Sequence, residues 1–383
     1  MDFGLNEEQR ILKESARRFI EKEIAPHVDE QEKKGPMDRP TAGRLIQKLI
    51  SFGYIVGPFS TEWGGHGLDQ ISYAIMLEEL WKAWPALGVM ALVDPGPAAA
   101  VMGSEDDDII ERIVTANLSG EKLGCGAITE PNVGSNPRGV ETTAVRKGDV
   151  YILNGSKIWI TNGSVADLVT CLCRVKGEEG LSVFVVEKDI SPFRTRELDK
   201  LGLKASPTSE IHFEDCMVPA SNRVGSPGGG LKRTLTGFER ARATLAIGSV
   251  GIAQAALDAA TKYAGERIQW GKPLAGHQTI QQMIAEMVTL TDASRFLAYR
   301  AFYLIDQGIM AAKECSMAKY YCCESAIKVA SMALQIHGAY GLSGEFPVER
   351  YFRDARTMTI PDGTSEIQKM ILARAVLGVN AFG

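Results

Sequence analysis

Four segments of this sequence hold residue types that could bind or react. In Thr129-Glu-Pro-Asn-Val-Gly-Ser135, hydroxyls and glycine-freed backbone amides crowd into one turn. That suits a polar or anionic group, although an ordinary turn has the same composition. In Trp159-Ile-Thr161-Asn-Gly, a tryptophan at a strand end stands beside a hydroxyl, where it could stack on a flat ring or fill a core. In Ile360-Pro-Asp-Gly-Thr-Ser-Glu-Ile-Gln368, Asp362 precedes Gly363 in a turn that enters a helix, and Thr364 or Ser365 can cap that helix. A helix N-terminus favours phosphate and other anions, and Asp362 could equally be the structural cap. Finally, Asp94 interrupts the apolar run Leu87-Gly-Val-Met-Ala-Leu-Val-Asp-Pro95. A buried acid is costly unless it is used or paired, and beside Pro95 it could cap the next helix.

Other chemistries lack their residues. No Walker loop is present, and no GxGxxG follows a strand. The five histidines (27, 66, 212, 277, 337) form no HExxH, and no Gly-x-Ser-x-Gly elbow occurs. The seven cysteines (125, 171, 173, 216, 315, 322, 323) lack metal-ligand spacing and read as free, buried thiols in a reducing compartment. No metal site is expected. Lys+Arg 42 against Asp+Glu 47 leaves a net charge of −5, which implies neither a nucleic-acid nor an anionic-membrane partner. Met1-Asp-Phe-Gly4 has no signal-peptide texture, and the longest apolar run, Pro85 to Val93, is too short to cross a bilayer. A cytoplasmic location follows as the expectation.

The elements that must position these segments change in texture along the chain. A length of 383 residues suggests two or three domains. Asn6 is a good N-cap, and Ile11, Leu12, Ala16, Phe19, Ile20 and Ile24 follow at helical spacing until Pro26. Further helical patterns cover Gly43–Ser51, Ser72–Trp81 and Leu87–Val93. From about Leu123 to Val224 the texture is β. Two β-rich runs flank Asn154-Gly155, a hairpin signal. Leu168–Arg174, Leu181–Val186 and Ile211–Phe213 read as short strands of a small barrel or sandwich. Ser226-Pro-Gly-Gly-Gly230 reads as a flexible hinge. Beyond it, Ile280, Met283, Ile284, Met287, Leu290, Thr291, Ser294 and Leu297 form one helical stripe, and 312–337 and 365–378 also read as helices. The expected division is a helical domain over 1–120, a β domain over 121–230 and a helical bundle over 231–383.

Together the segments resemble one family, the acyl-CoA dehydrogenases, over almost the whole chain. The resemblance rests on Ala127-Ile-Thr-Glu-Pro-Asn-Val-Gly-Ser135, Leu153-Asn-Gly-Ser-Lys-Ile-Trp-Ile-Thr-Asn-Gly163 and Arg267-Ile-Gln-Trp-Gly-Lys272. It rests also on Gln335-Ile-His-Gly-Ala-Tyr-Gly341, Arg353-Asp-Ala-Arg356 and Asp362-Gly-Thr-Ser-Glu-Ile-Gln368. It implies a mainly α fold with a β domain: an N-terminal α-helical domain, a middle β-barrel and a C-terminal four-helix bundle. It implies FAD, an electron-transferring flavoprotein as acceptor and a homotetramer. Ile128 and Thr129 would border the flavin, Trp159 would lie along it, and Thr161 would reach its polar edge. Ser135 would sit near a pyrophosphate or pantetheine group. Arg267, Gln269 and Trp270, and Gln335 with Gly338, would reach FAD from a neighbouring subunit. Thr364 and Glu366 would start the helix that meets a diphosphate, although many members carry Gln in place of Glu366. Phe238, Glu239 and Arg242 match a segment that touches the CoA arm, and Gly363 would border the substrate.

The chemistry so implied is α,β-dehydrogenation of an acyl-CoA thioester: a carboxylate takes the α-proton and a hydride leaves the β-carbon for flavin N5. Most members place Glu at the base position. This sequence has Asp362, and the helix position used by another branch is Ala241. Aspartate is one methylene shorter, which draws the carboxylate back by about 1.5 Å, and a misplacement near 1 Å can cost roughly a hundredfold. A ring or branch at the α-carbon would use the vacated space, so the expected substrate is cyclic, such as cyclohexane-1-carboxyl-CoA, as in alicyclic acid metabolism and anaerobic aromatic degradation. If Asp94 acts as a second base, the reaction would be 1,4-dehydrogenation of cyclohex-1-ene-1-carboxyl-CoA. A short- or branched-chain dehydrogenase, an enoyl-CoA reductase and a non-enzymatic FAD- or CoA-binding relative are the other readings. Trp81 and Trp84 could shape a flat pocket or pack in the core.

Overall fold

The computed structural model describes residues 4–381, and its elements run helical, β, then helical. Helix α1 (Glu7–Glu23) begins on Asn6, whose side chain accepts from the Gln9 amide while Gln9 bonds back to the Asn6 amide. α1 stops at Glu23, just ahead of Pro26, but helix resumes at once. Pro26 sits in the first turn of α2 (Ala25–Lys34), because a first-turn proline lacks only an N–H that no helical carbonyl would meet. Then come α3 (Arg39–Phe52), α4 (Gln70–Ala83), α5 (Pro85–Val93) and α6 (Gly96–Val101). Two single turns, α7 (Asp107–Ile109) and α8 (Ala116–Leu118), flank a π-helical stretch at Ile110–Thr115.

The β domain contains β1 (Gly124–Ala127), β2 (Thr143–Lys147), β3 (Val150–Thr161), β4 (Leu168–Val175), β5 (Ser182–Glu187), β6 (Arg194–Glu197), β7 (Thr208–Pro219) and β8 (Arg223–Val224). They form one mixed sheet in the order β6-β7-β3-β2-β4-β5-β8, with β1 parallel to the first half of β4 and β2 parallel to its end. β5 also packs back against β7. The sheet thus encloses its own core, with Leu153, Val169, Cys171, Phe184, Ile211 and Val218 inside.

Two turn-rich segments differ from expectation. Asn154-Gly155 makes no hairpin; both residues lie within β3, where the register against β7 shifts between Leu153 and Gly155. Asn154 bonds Asp215 across this bulge, and a Cβ on Gly155 would lie 2.5 Å from the Thr142 hydroxyl. Bulges and turns draw on the same residues, and the real β2–β3 turn lies at Gly148, φ +61°. Ser226–Gly230 is packed rather than free: the Gly230 amide donates to Leu181 O at 2.8 Å, and a Cβ on Gly230 would meet Ser182 at 2.8 Å.

The last third contains α9 (Gly230–Glu266), a hairpin of β9 (Ile268–Gln269) and β10 (Lys272–Pro273), then α10 (Gln278–Asp306), α11 (Ala312–His337), α12 (Val348–Met358) and α13 (Ser365–Leu377). Helices α9, α10 and α11 pack on one another and α13 lies on α11, which is the four-helix bundle the resemblance implied. α9 is long and apolar enough to cross a membrane by length and composition, but 83% of its most apolar window is buried inside the bundle. α4 packs on α9 and α10, so the first and last thirds share one core. Trp81 is pressed between Gly88 and Gly248, where Cβ atoms would come within 2.6 and 2.5 Å of its ring. Trp81 and Trp84 are both fully buried core residues. Arg295 of α10 grips the buried Glu78 of α4 (3.0 Å) and Gln254 of α9 (2.7 Å), locking the three helices together.

Candidate active site

The segment before α13 is tightly built. Asp362 and Gly363 adopt successive left-handed conformations, φ +54° and +94°. Asp tolerates this region better than most residues, and Gly adopts it freely. The helix cap is Thr364, whose hydroxyl accepts from the Ile367 amide, so Asp362 is not the cap. The carbonyls of the turn all point inward. Asp362 O accepts from Arg242 Nε (3.1 Å) and Gln368 Nε2 (3.0 Å). Gly363 O accepts from Gln368 Nε2 (2.8 Å) and Lys319 Nζ (2.9 Å), and Lys319 also donates to Thr359 O (3.0 Å).

With its main chain held this way, the partly buried Asp362 carboxyl receives no hydrogen bond from any described residue. Burial raises its pKa, while the charges of Lys319 and Arg242 oppose that rise. A carboxylate in this state has free lone pairs and favours proton uptake.

Arg242 is buried rather than on a helix surface. Its guanidinium lies 5.8 Å from the centre of the Phe238 ring and feels the charge of Glu239. Sequence reasoning thus named the α9 residues that meet Asp362, but it missed Lys319 and the role of Gln368. Both side chains are fully buried, a placement that only the fold reveals.

A second group forms on the β domain. Between Lys157 and Ile160 the β3 register slips again, and Trp159 takes φ +62°. The bulge turns its ring outward, 55% exposed, so Trp159 is not a core residue. The Ile158 amide donates to Thr129 O at 2.9 Å, which ties the 128–130 segment to this bulge. A buried ion pair locks it from behind: Lys157 Nζ donates to Glu130 Oε1 (2.7 Å), Leu172 O (2.6 Å) and Ile128 O (3.1 Å). Glu130 also accepts from the amides of Glu141 and Thr142. The hydroxyls of Thr129, Thr161 and Ser135 have no hydrogen-bond partner among the described residues, and Ser135 is exposed. An outward aromatic ring beside open hydroxyls on a rigid frame fits the flat, polar-edged ring of a flavin.

A third group is exposed. Trp270 and Gly271, φ +53° and +73°, form the two-residue turn between β9 and β10, and Trp270 is 92% exposed. Arg267 and Gln269 are exposed beside it. Arg267 lies 5.9 Å over the ring of Tyr340, which follows the exposed Gln335 and Gly338 at the end of α11. Glu366 is exposed in the first turn of α13, and its carboxyl is held low by its own amide and the Thr364 hydroxyl, the normal setting of a first-turn acid.

Asp94 joins none of these groups through a hydrogen bond. It is fully buried, and its Oδ1 accepts from the Gly124 amide at 2.9 Å, so it does not cap α6. Its Oδ2 has no hydrogen-bond partner among the described residues, and burial pushes its pKa up to about 7. All seven cysteines are free and buried. Among the described residues no cluster of His, Cys, Asp or Glu is placed to hold a metal.

Three family models match in series: acyl-CoA dehydrogenase N-terminal domain over residues 6–114, middle domain over 125–216 and C-terminal domain over 228–377. The chain is 38% identical over 387 residues to the glutaryl-CoA dehydrogenase of Desulfococcus multivorans, covering 99% of each. It is 36% identical over 381 residues to the caffeyl-CoA reductase-Etf complex subunit of Acetobacterium woodii, covering 97% of this chain and 99% of that one. It superposes on butyryl-CoA dehydrogenase from Megasphaera elsdenii with a TM-score of 0.92 at 34% identity, covering 98% and 100% of the two chains.

Proposed function

The chain belongs to the acyl-CoA dehydrogenase family, and from that premise we propose that it dehydrogenates a cyclic acyl-CoA such as cyclohexane-1-carboxyl-CoA, with Asp362 as the base. As a member of that family it is an FAD-dependent oxidoreductase acting on acyl-CoA thioesters. An electron-transferring flavoprotein is its electron partner, in line with the Etf complex of its Acetobacterium relative.

The observation that favours the cyclic substrate is the short, unpartnered carboxyl of Asp362 on a fixed turn. Drawn back by about 1.5 Å relative to glutamate, it leaves room for a ring carbon bonded to the thioester carbon. The carboxylate takes the α-proton, while Arg242, Lys319 and Gln368 hold the turn from behind. FAD, when bound, accepts the hydride that leaves the β-carbon. Thr129 and Thr161 would hold the flavin's polar edge, with Trp159 along the ring and Ile128 bordering it. Ser135, Phe238, Glu239 and Gly363 would border the thioester. The reading needs no second base, because Asp94 is enclosed and already bonded to Gly124.

Arg267, Gln269 and Trp270, with Gln335 and Gly338, stand exposed on one chain and would serve FAD held by another, which supports a homotetramer. Thr364, with Glu366 behind it, opens the helix whose first amides suit a diphosphate. Buried free thiols suit a cytoplasmic location, and boundaries near 120 and 230 suit the change of texture.

The test is anaerobic mixing of the yellow protein with a panel of acyl-CoA thioesters. Bleaching of the flavin band by cyclohexane-1-carboxyl-CoA, and its loss in Asp362→Asn with flavin retained, is the expected outcome. Comparable turnover of butyryl-CoA or octanoyl-CoA would overturn the cyclic assignment.

A further inference from the structure

Lys319 is an oddity of the bundle. It sits about two turns into α11 with no accessible surface, among the largest fully buried side chains of the described residues. A buried ammonium normally faces a carboxylate that pairs with it. Glu78 has Arg295, Glu130 has Lys157, and Glu187 has Lys122 and Arg112. Among the described residues Lys319 forms no salt bridge. Its two hydrogen bonds go to the carbonyls of Thr359 and Gly363, which bracket Asp362 in the chain.

Such an arrangement is expensive if its purpose is stability alone. A neutral donor would satisfy the same two carbonyls without the cost of desolvating a charge. The groups that face Lys319 are Cys323 and Glu324 on its own helix, Asp362 on the turn and Arg242 from α9. Glu324 is already engaged by the Ser365 hydroxyl at 2.5 Å. Arg242 in turn faces Asp362, Cys315 and Glu239. The two cations facing the Asp362 carboxyl are therefore Lys319 and Arg242, and each is tied to the main chain of the turn rather than to that carboxyl.

We propose that Lys319 is a positioning residue for the base. Its hydrogen bonds fix the left-handed turn that presents the Asp362 carboxyl, and its positive charge favours the carboxylate form there without occupying its lone pairs. The assignment rests on Asp362 being the base. A direct salt bridge would hold the carboxylate ionised too, but it would consume the oxygens that must take the α-proton. Bonding the cation to the neighbouring carbonyls separates the two tasks. Burial disfavours the charged form of Lys319 itself, an effect that the negative charge of Asp362 opposes.

The experiment is the pH dependence of flavin bleaching in single-turnover mixing, using FAD-loaded wild type, Lys319→Gln, Lys319→Arg and Asp362→Asn with the best thioester of the panel. Gln keeps donors for the two carbonyls but loses the charge; Arg keeps the charge. The proposal expects the acid limb of the Lys319→Gln profile to move to higher pH. Bleaching should fall by about tenfold or more at pH 6 and recover as the pH rises. Lys319→Arg should keep the wild-type limb, even if its overall rate falls. A Lys319→Gln profile parallel to wild type at every pH would overturn the proposal. Loss of the wild-type acid limb in Lys319→Arg would do the same. If Lys319→Gln does not fold, Lys319→Arg decides alone through the position of its limb. Bleaching that persists in Asp362→Asn would sink the base assignment instead, so the two failures are distinguishable.

Discussion

Replacing Lys157 by methionine tests whether the flavin-side frame depends on a buried charge. Lys157 has no accessible surface, and its ammonium serves Glu130, Ile128 O and Leu172 O at 2.7, 3.1 and 2.6 Å. Methionine keeps most of the volume and removes the charge and all three donors. Glu130 would be left buried with only the amides of Glu141 (2.6 Å) and Thr142 (3.0 Å), and two carbonyls would lose their lysine partner. Removing one member of a buried pair costs about 3–5 kcal/mol, a large share of the ~5–15 kcal/mol that holds a domain together. The lost charge also acts through pH. Burial alone would raise the Glu130 pKa; the bonds from Lys157, Thr142 and Glu141 more than reverse that and hold it below the usual range. Its contribution to stability is therefore full above the ordinary glutamate range and is lost as pH falls through the lowered value. Urea unfolding followed by circular dichroism, with and without FAD, reads both effects. The expected result is a loss of about 3 kcal/mol or more with weakened FAD affinity, partly restored in Lys157→Met/Glu130→Gln because no unpaired carboxylate remains. A Lys157→Met protein within about 1 kcal/mol of wild type and with unchanged FAD affinity would refute the reasoning.

Other outcomes follow from the same geometry. Asp94 carries a pKa raised to about 7 from an ordinary 3.8, so the unfolded chain ionises first as pH rises, and stability falls between about pH 4 and 7. The penalty reaches roughly 4 kcal/mol above that window, and Asp94→Asn should flatten this part of a stability-against-pH curve; an unchanged slope would contradict it. Burial pushes the Asp354 pKa up to about 7 as well, so a residual slope should remain in that variant and shrink further in Asp94→Asn/Asp354→Asn. Trp159→Ala should leave the fold intact, because the ring is outside the core, and weaken FAD retention measured by gel filtration. Alanine at Gly155 should destabilise the β domain, since its Cβ would strike the Thr142 main chain at 2.8 Å in a backbone with φ +150°; a thermal midpoint equal to wild type would argue against that clash.

Much of this architecture was legible in the chain because its signals are local. The stripe from Ile280 to Leu297 set α10, with Met287, Thr291 and Ser294 buried as the spacing required. Position 362 was legible through motif order, which needs no contact map. What could not be read was long-range. Asn154-Gly155 carries hairpin chemistry, but its partner Asp215 lies 61 residues away and converts it to a bulge. Ser226–Gly230 has a linker's composition, yet the turn before β5 clamps it. Asp94 looked like a cap or a second base, and only the fold brings the Gly124 amide to it. Lys319 is not legible in the sequence, because a lysine in a helix is normally solvated and nothing within its own turn reveals the carbonyls 40 and 44 residues onward that bind it.

The central claim is that a shortened base at position 362 selects an acyl group branched at its α-carbon. Anaerobic stopped-flow rates of flavin bleaching by cyclohexane-1-carboxyl-CoA and by butyryl-CoA, in wild type and in Asp362→Glu, test it most directly. Wild type should prefer the cyclic thioester by about a hundredfold, the scale of a 1 Å misplacement, and Asp362→Glu should lose that preference as the longer side chain fills the space the ring uses. Equal rates for the two thioesters in wild type, or a cyclic preference that survives intact in Asp362→Glu, would contradict it.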